Sequence, residues 1–229
     1  MRWSMTPGLI QAGIERGWLL EPEAKELCRA YGLPVGEWRL AKTVEEAKAA
    51  AEELGYPLVM KIVSPDVIHK SDVGGVILGI KDADGVSEAF GRITGIRDSI
   101  GCRLEGALVE KMAPPGIETI IGAKRDPQFG PVLLFGLGGV FVEVFKDVSF
   151  RVAPITLDDA TDMMTELKAY PLLKGIRGKK PSDMDALGDA LMKVSGMMMK
   201  EDAIMELDLN PTIAYERGCR IVDARVILK

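Results

Sequence analysis

The chain has 229 residues, a net charge of −5, 47% hydrophobic and 28% charged residues. That length allows one large domain or two small ones around a shared cleft. The acidic balance argues against a duplex nucleic acid, which asks for a basic surface. It leaves nucleotides open, because a few local cations and backbone amides can hold them. The first residues lack an apolar core followed by a small-residue cleavage site, and no apolar run approaches the length of a membrane span. Cys28, Cys102 and Cys219 stand far apart without a C-x-x-C pair. No membrane partner and no disulfide framework are expected, and the cysteines read as packing residues of a protein in a reducing cytoplasm.

In chain order, two short helices are predicted near 8–16 and 21–31, the second stopped by Gly32–Pro34. Glu37–Lys42 reads as a strand. Thr43 opens a helix with Glu46 three residues later, a capping-box pattern; Ala47, Ala50, Ala51 and Leu54 give it an apolar stripe and Gly55 ends it. Leu58–Val63 is a continuous apolar run broken only by Lys61, which suggests a buried strand. Gly74-Gly75 precedes a strand at Val76–Ile80, and a helix covers about 84–100. Strands follow near 104–111, 117–124, 131–136 and 147–152, helices near 156–169 and 182–199, and strands near 203–209 and 220–227. This mixture is α+β rather than a run of regular βα repeats. Ala113-Pro114-Pro115-Gly116 cannot continue a helix or a central strand, so the chain is divided into two subdomains, 1–111 and 112–229.

Several segments carry chemistry. Lys61 inside a buried strand needs an anion for its ammonium. A nucleotide phosphate would serve, and so would a salt bridge under a surface loop. The run from Ser64 to Gly75 then offers hydroxyl, carboxylate, imidazole and two glycines whose backbone amides could approach a phosphate. His69 is the only histidine. Its polar neighbours argue against a core position; it is either an exposed residue or a nucleophile able to carry a labile phosphoramidate. With no second histidine, a histidine zinc cluster is excluded. Alternation puts Glu206, Asp208 and Asn210 on one strand face, where they would repel unless a cation such as Mg²⁺ or solvent attends them. Val109–Met112 runs into the Pro-rich hinge and can offer backbone groups to an adenine edge, and Glu118 can accept from ribose hydroxyls. Phe135–Glu143 contains Gly-x-Gly-Gly, a glycine loop or a hairpin turn, and it is neither a Rossmann fingerprint nor a Walker A motif.

Together these segments resemble a known family. Leu54–Lys61, the Ser64-Pro65-Asp66-x-x-His69-Lys70-Ser71-Asp72-x-Gly74-Gly75 run, Asp126–Pro131, Phe135–Gly139 and Glu206–Pro211 are similar to the ATP-grasp β subunit of ADP-forming acetyl-CoA synthetases, related more distantly to the succinyl-CoA synthetase β subunit. The resemblance covers nearly the whole chain. It implies an ATP-grasp fold with the nucleotide bound between two subdomains, and the reaction of acyl-CoA, ADP and phosphate to acid, ATP and CoA. By the resemblance, His69 is the phosphoryl relay and Asp208 the acid that steadies it. Asn210 and Asp223 match a Mg²⁺ pair. Lys61, Val63, Ser71, Gly74, Gly75, Glu110, Met112 and Glu118 match positions around ATP or ADP. It further implies a separate CoA-binding α subunit in an α₂β₂ assembly. An ATP-grasp ligase without a phosphohistidine, and a nucleotide-binding regulatory subunit without turnover, remain the alternatives at this point.

Overall fold

The computed structural model describes residues 6–139, 146–176, 178 and 180–229. They form two compact units: the described residues up to Val35 together with Pro115–Lys229, and Gly36–Pro114. This corrects the division at 111/112. The later boundary falls inside the expected Pro-rich segment, but the first segment of the chain belongs with the last. The reason is strand pairing: after helix α1 (Thr6–Ile14), strand β1 (Trp18–Leu19) pairs antiparallel with residues 226–227 near the C-terminus. The short β1 was not foreseen. Helix α2 (Glu21–Ala30) follows, with Pro22 in its first turn. Its Cys28 is buried, and desolvation pushes the thiol up to about 12, which fits a packing role.

Unit Gly36–Pro114 holds β2 (Trp38–Ala41), α3 (Val44–Leu54), β3 (Leu58–Val63), β4 (Val76–Ile80), α4 (Ala83–Ile100) and β5 (Gly106–Lys111). Its sheet order is β2-β5-β3-β4, antiparallel throughout. Thr43 caps α3 by accepting from Glu46 N–H at 3.2 Å, while the Glu46 side chain reaches Lys42 N–H at 2.6 Å rather than closing the expected box on Thr43. Ala47, Ala50 and Ala51 of α3 and Val86, Ala89, Phe90 and Ile93 of α4 pack with Leu58, Met60, Ile62, Ala107 and Val109. Strand alternation therefore sends Val59, Lys61, Val63, Leu108 and Glu110 to the opposite face.

The other unit resumes with β6 (Ile117–Asp126), β7 (Gly130–Leu137) and β8 (Val148–Val152), then α5 (Leu157–Thr165), α6 (Tyr170–Leu173), α7 (Met184–Lys200), β9 (Ile204–Ala214), β10 (Cys219–Ile221) and β11 (Arg225–Leu228). The sheet runs β1-β11-β9-β6-β7-β8, with β10 also paired to β9. The helix expected at 156–169 ends early and restarts as α6 around Pro171. The strand expected at 203–209 continues through Asn210-Pro211 to Ala214, and the one expected at 220–227 is two strands with a break at 222–224. Leu187, Leu191, Val194, Met197 and Met198 of α7 cover Ile121, Leu133, Phe135, Leu207 and Leu209. Each such side chain contributes roughly 1.5–3 kcal/mol when fully buried. Because β9 alternates, burying Leu207 and Leu209 turns Glu206 and Asp208 away from the helices.

Candidate active site

In the unit Gly36–Pro114, every residue of β3 is buried, Lys61 included. Lys61 Nζ lies 3.3 Å from Glu110 Oε2. The register explains the meeting: Val59 faces Glu110 and Lys61 faces Leu108, so the two charges are diagonal neighbours on the face turned from the helices. The anion that a buried lysine requires is thus the carboxylate of Glu110. Burying two charges is costly, and their attraction does little more than offset desolvation. Val63 O accepts from Glu105 N–H at 2.9 Å, and Met112 N–H donates to Pro57 O at 3.0 Å. The amide of Met112, expected at an adenine edge, is thereby committed within its own unit.

The loop after β3 is fastened at both feet. Asp66 accepts from Arg103 N at 2.7 Å and from Arg103 Nη2 at 2.8 Å; the Arg103 side chain holds the Asp66 carboxyl below its usual range. Nothing in the sequence announced Arg103 as a partner. Val67 inserts into the helix-covered core. His69 follows it and is exposed. Lys70–Val73 make one 3₁₀ turn, ended by Gly74 at φ 69°, a left-handed conformation that suits glycine. Gly75 packs so closely that a Cβ would stand 2.4 Å from Ile62 Cγ2. Gly74 N–H donates to Ser71 O and Gly75 N–H to Lys70 O, at 3.1 and 2.7 Å. In this conformation the two amides expected to approach a phosphate both close the loop on itself. Ser71 is exposed beside them.

The second group of site residues lies in the other unit. Glu206 and Asp208 share Arg225: Nη2 is 2.8 Å from Glu206 Oε1 and 3.6 Å from Asp208 Oδ2. The cation expected to attend this acidic face is therefore, in the structure, a guanidinium. Arg225 was missed as a functional candidate, although it stands two residues after Asp223. Asp223 is not in a strand, contrary to expectation; it sits in the break between β10 and β11. Ile221 faces Thr212 and Arg225 faces Asp208, and Val222 N–H donates to Pro211 O at 3.0 Å. Equal spacing on both sides of the break sets Asp223 opposite Asn210. Asp223 Oδ1 accepts from Ala224 N–H at 3.0 Å.

A divalent ion fits this pair in a limited way. Among the described residues no group of three His, Cys, Asp or Glu could hold a metal. A closed all-protein site is therefore not built here. Two oxygen-bearing side chains on facing backbone positions match Mg²⁺, which takes one or two protein ligands and fills the rest with phosphate and water.

Glu118 is exposed, and its carbonyl accepts from Gly138 N–H at 2.8 Å. Gly138 cannot carry a side chain freely there, since a Cβ would lie 3.0 Å from Glu118 Cβ. The glycine segment thus leaves β7 packed against Glu118, and its remainder, Val140–Glu143, lies outside the described residues. Lys61, Val63, His69, Ser71, Gly74, Gly75, Glu110 and Met112 belong to one unit, and Glu118, Asp208, Asn210 and Asp223 to the other.

Comparison with known proteins gives this arrangement a family. The ATP-grasp domain model matches residues 10–228. The β subunit of acetate–CoA ligase (ADP-forming) I from Pyrococcus furiosus is 50% identical over 220 residues, 95% of either chain. A structure of the dinucleotide-forming acetyl-coenzyme A synthetase 1 of Candidatus Korarchaeum cryptofilum, in complex with coenzyme A, Ca-AMPCP and HgCl⁺, superposes with a TM-score of 0.94 at 50% identity, covering 98% of this chain and 100% of that one. Another structure of that enzyme holds coenzyme A and Mg-AMPPCP, with its phosphohistidine segment pointing towards the nucleotide binding site; it superposes with a TM-score of 0.87 at 47% identity, covering 98% of this chain and 100% of that one. Sharing half its residues with such a relative over nearly the full length of both, the chain belongs to the ATP-grasp family, among the β subunits of ADP-forming acetate–CoA ligases.

Proposed function

We propose that this chain moves a phosphoryl group between His69 and ADP, as the nucleotide-handling subunit of an enzyme that converts acyl-CoA, ADP and phosphate to acid, ATP and CoA. The observation that carries this reading is His69 itself. The sole histidine stands exposed on a loop clamped at Asp66 and closed at Gly75, directly after the strand bearing Lys61. The related enzyme has a phosphohistidine segment and binds a nucleotide analogue.

In the ATP-forming direction an oxygen of the ADP β-phosphate attacks phosphorus, the N–P bond breaks, and its electron pair returns to the imidazole nitrogen. Such transfer asks the protein for positioning and charge neutralisation rather than for further covalent chemistry. Lys61 offers a phosphate-facing cation once its carboxylate partner shares it. Val63, Ser71, Gly74, Gly75, Glu110, Met112 and Glu118 are assigned to the nucleotide's surroundings, with Glu118 accepting from ribose hydroxyls. Asp208 is assigned as the acid for the imidazole nitrogen that does not carry phosphorus, where a hydrogen bond would fix the tautomer. Asn210 and Asp223 would hold Mg²⁺, which supplies charge neutralisation for the nucleotide phosphates when bound.

The acyl group and CoA are handled by a partner. The close Pyrococcus relative is a β subunit matched along 95% of its length, so this chain corresponds to one subunit of such an enzyme. We assign it a CoA-binding α subunit and an α₂β₂ assembly in the cytoplasm. Among the described residues no helix is long and apolar enough to cross a membrane.

Labelling decides the matter. The complex is incubated with ATP labelled at the γ-phosphate, and the subunits are then separated. The β chain should carry label that is lost in acid and kept in base, as a phosphoramidate behaves, and His69→Ala should carry none. An unlabelled wild-type β chain would instead favour direct phosphoryl transfer without this histidine.

A further inference from the structure

Arg225 opens β11 and faces Asp208 in the register. Its short contact nevertheless goes to Glu206, at 2.8 Å, while Asp208 stands at 3.6 Å. The first distance is a charge-assisted hydrogen bond; the second is an ion pair without one. Glu206 therefore fixes the guanidinium, and Arg225 attracts Asp208 without a hydrogen bond to it from that nitrogen. The three side chains are 29–36% exposed. Pairs this open to solvent add little stability, so a role in stability alone is a weak account of a two-carboxylate clamp.

The neighbouring register position sharpens the point. Asn210 lies two residues beyond Asp208 on β9, and Asp223 two residues before Arg225, in the break that precedes β11. The acid assigned to the imidazole, Asp208, and one member of the pair assigned to the cation, Asn210, thus stand two residues apart on β9, and nothing in a carboxylate itself keeps a cation off Asp208. The positive charge of Arg225 does. It repels a divalent ion from Asp208 and offsets the repulsion between Asp208 and Glu206, two like charges on one strand face.

We propose that Arg225, held by Glu206, is a positioning residue that sets the orientation of the Asp208 carboxylate and keeps it out of the metal's coordination. This rests on the reading of His69 as the phosphoryl carrier. As the imidazole nitrogen bonds to phosphorus and ADP leaves, the ring keeps its proton on the other nitrogen and gains positive charge. A carboxylate accepting that N–H offsets the charge, and a metal bound to the same carboxylate would draw off much of its negative charge.

The test uses the complex of this chain with its CoA-binding partner. Arg225→Met, Arg225→Lys, Glu206→Gln and the Arg225→Met/Glu206→Gln pair are compared for the single-turnover rate of β-chain phosphorylation from ATP, KM for ADP and thermal midpoint. Arg225→Met should slow phosphorylation by ~10–100-fold, the range for loss of a group orienting a catalytic neighbour. KM for ADP and the midpoint should hardly move. Arg225→Lys should recover most of the rate, Glu206→Gln should lose part of it, and the double variant should be no slower than Arg225→Met alone. An Arg225→Met rate within about twofold of wild type, or equal losses in Met and Lys variants, overturns the proposal. Should Arg225→Met fail to fold, the Lys and Glu206→Gln variants still decide, because an unchanged rate in Glu206→Gln removes the clamp. The wild-type chain separates the two readings: if it never labels at His69 the carrier assignment fails, whereas normal labelling with an indifferent Arg225→Met fails this inference alone.

Discussion

The ammonium of Lys61 stands 3.3 Å from the carboxylate of Glu110, and both side chains are only 4% exposed. Removing one partner of such a pair should cost up to roughly 3–5 kcal/mol, whereas replacing both by neutral groups of similar size should be close to neutral. Denaturant unfolding of Glu110→Gln, Lys61→Met and the double variant measures this. If Lys61 also serves phosphate, the double variant should fold yet bind ADP at least about tenfold more weakly, a loss of ~1.4 kcal/mol. Unchanged ADP affinity in a folded double variant would remove Lys61 from the nucleotide site.

Asp223→Ala should weaken Mg²⁺-dependent ADP binding while leaving the thermal midpoint nearly unchanged. The carboxylate is offered opposite Asn210 from a break between strands rather than from a ladder position, so its loss removes no ladder bond. Calorimetric titration of ADP with and without Mg²⁺ checks this; equal Mg²⁺ dependence in variant and wild type speaks against the ion assignment.

His69→Ala should abolish ATP formation from acyl-CoA, ADP and phosphate, while acyl phosphate still forms on the partner. His69→Asn should be equally inactive. An amide can imitate one imidazole hydrogen bond but cannot carry phosphorus. Near-normal turnover in either variant would make His69 a bystander.

The isolated chain should bind ADP yet synthesise no acyl-CoA. Activity should appear on adding the CoA-binding subunit, with the mass of an α₂β₂ assembly by light scattering. Sustained acyl-CoA synthesis by this chain alone would contradict the division of labour.

Acid should loosen the start of α7. Asp183 accepts from Gly218 N–H at 2.7 Å and Ala186 N–H at 3.0 Å, and these backbone bonds, that of Gly218 first, lower its carboxyl from the usual value. A group lowered in the folded state stabilises above its unfolded value of about 4 and loses that contribution as pH falls through the folded value. Asp183→Ala should therefore cost about 0.5–2 kcal/mol at neutral pH, the worth of an N-cap. Unfolding curves of the two proteins should converge at low pH. A gap that stays constant from neutral pH to acid would show that the cap's ionisation is irrelevant.

Much of this protein was written in contiguous residues. The Thr43 cap and alanine stripe of α3, the buried run around Lys61, the sole histidine in its polar loop and the Glu206–Pro211 segment are local signals, and they sufficed for the α+β class and the family. Periodicity and capping act within a few residues, so they are legible one segment at a time. What the tertiary structure alone decided are pairings across distance. Trp18–Leu19 joins the C-terminal strand, which moves the first segment into the last unit. Arg103 clamps Asp66 from 37 residues away. Glu110 answers Lys61 because strand register, not spacing in the chain, makes them neighbours. The break between β10 and β11 and the choice of Glu206 over Asp208 by Arg225 have the same origin. A sequence pattern specifies which face of a strand a side chain occupies, but which charge waits on the adjoining strand depends on register, and register is settled only when the whole sheet assembles.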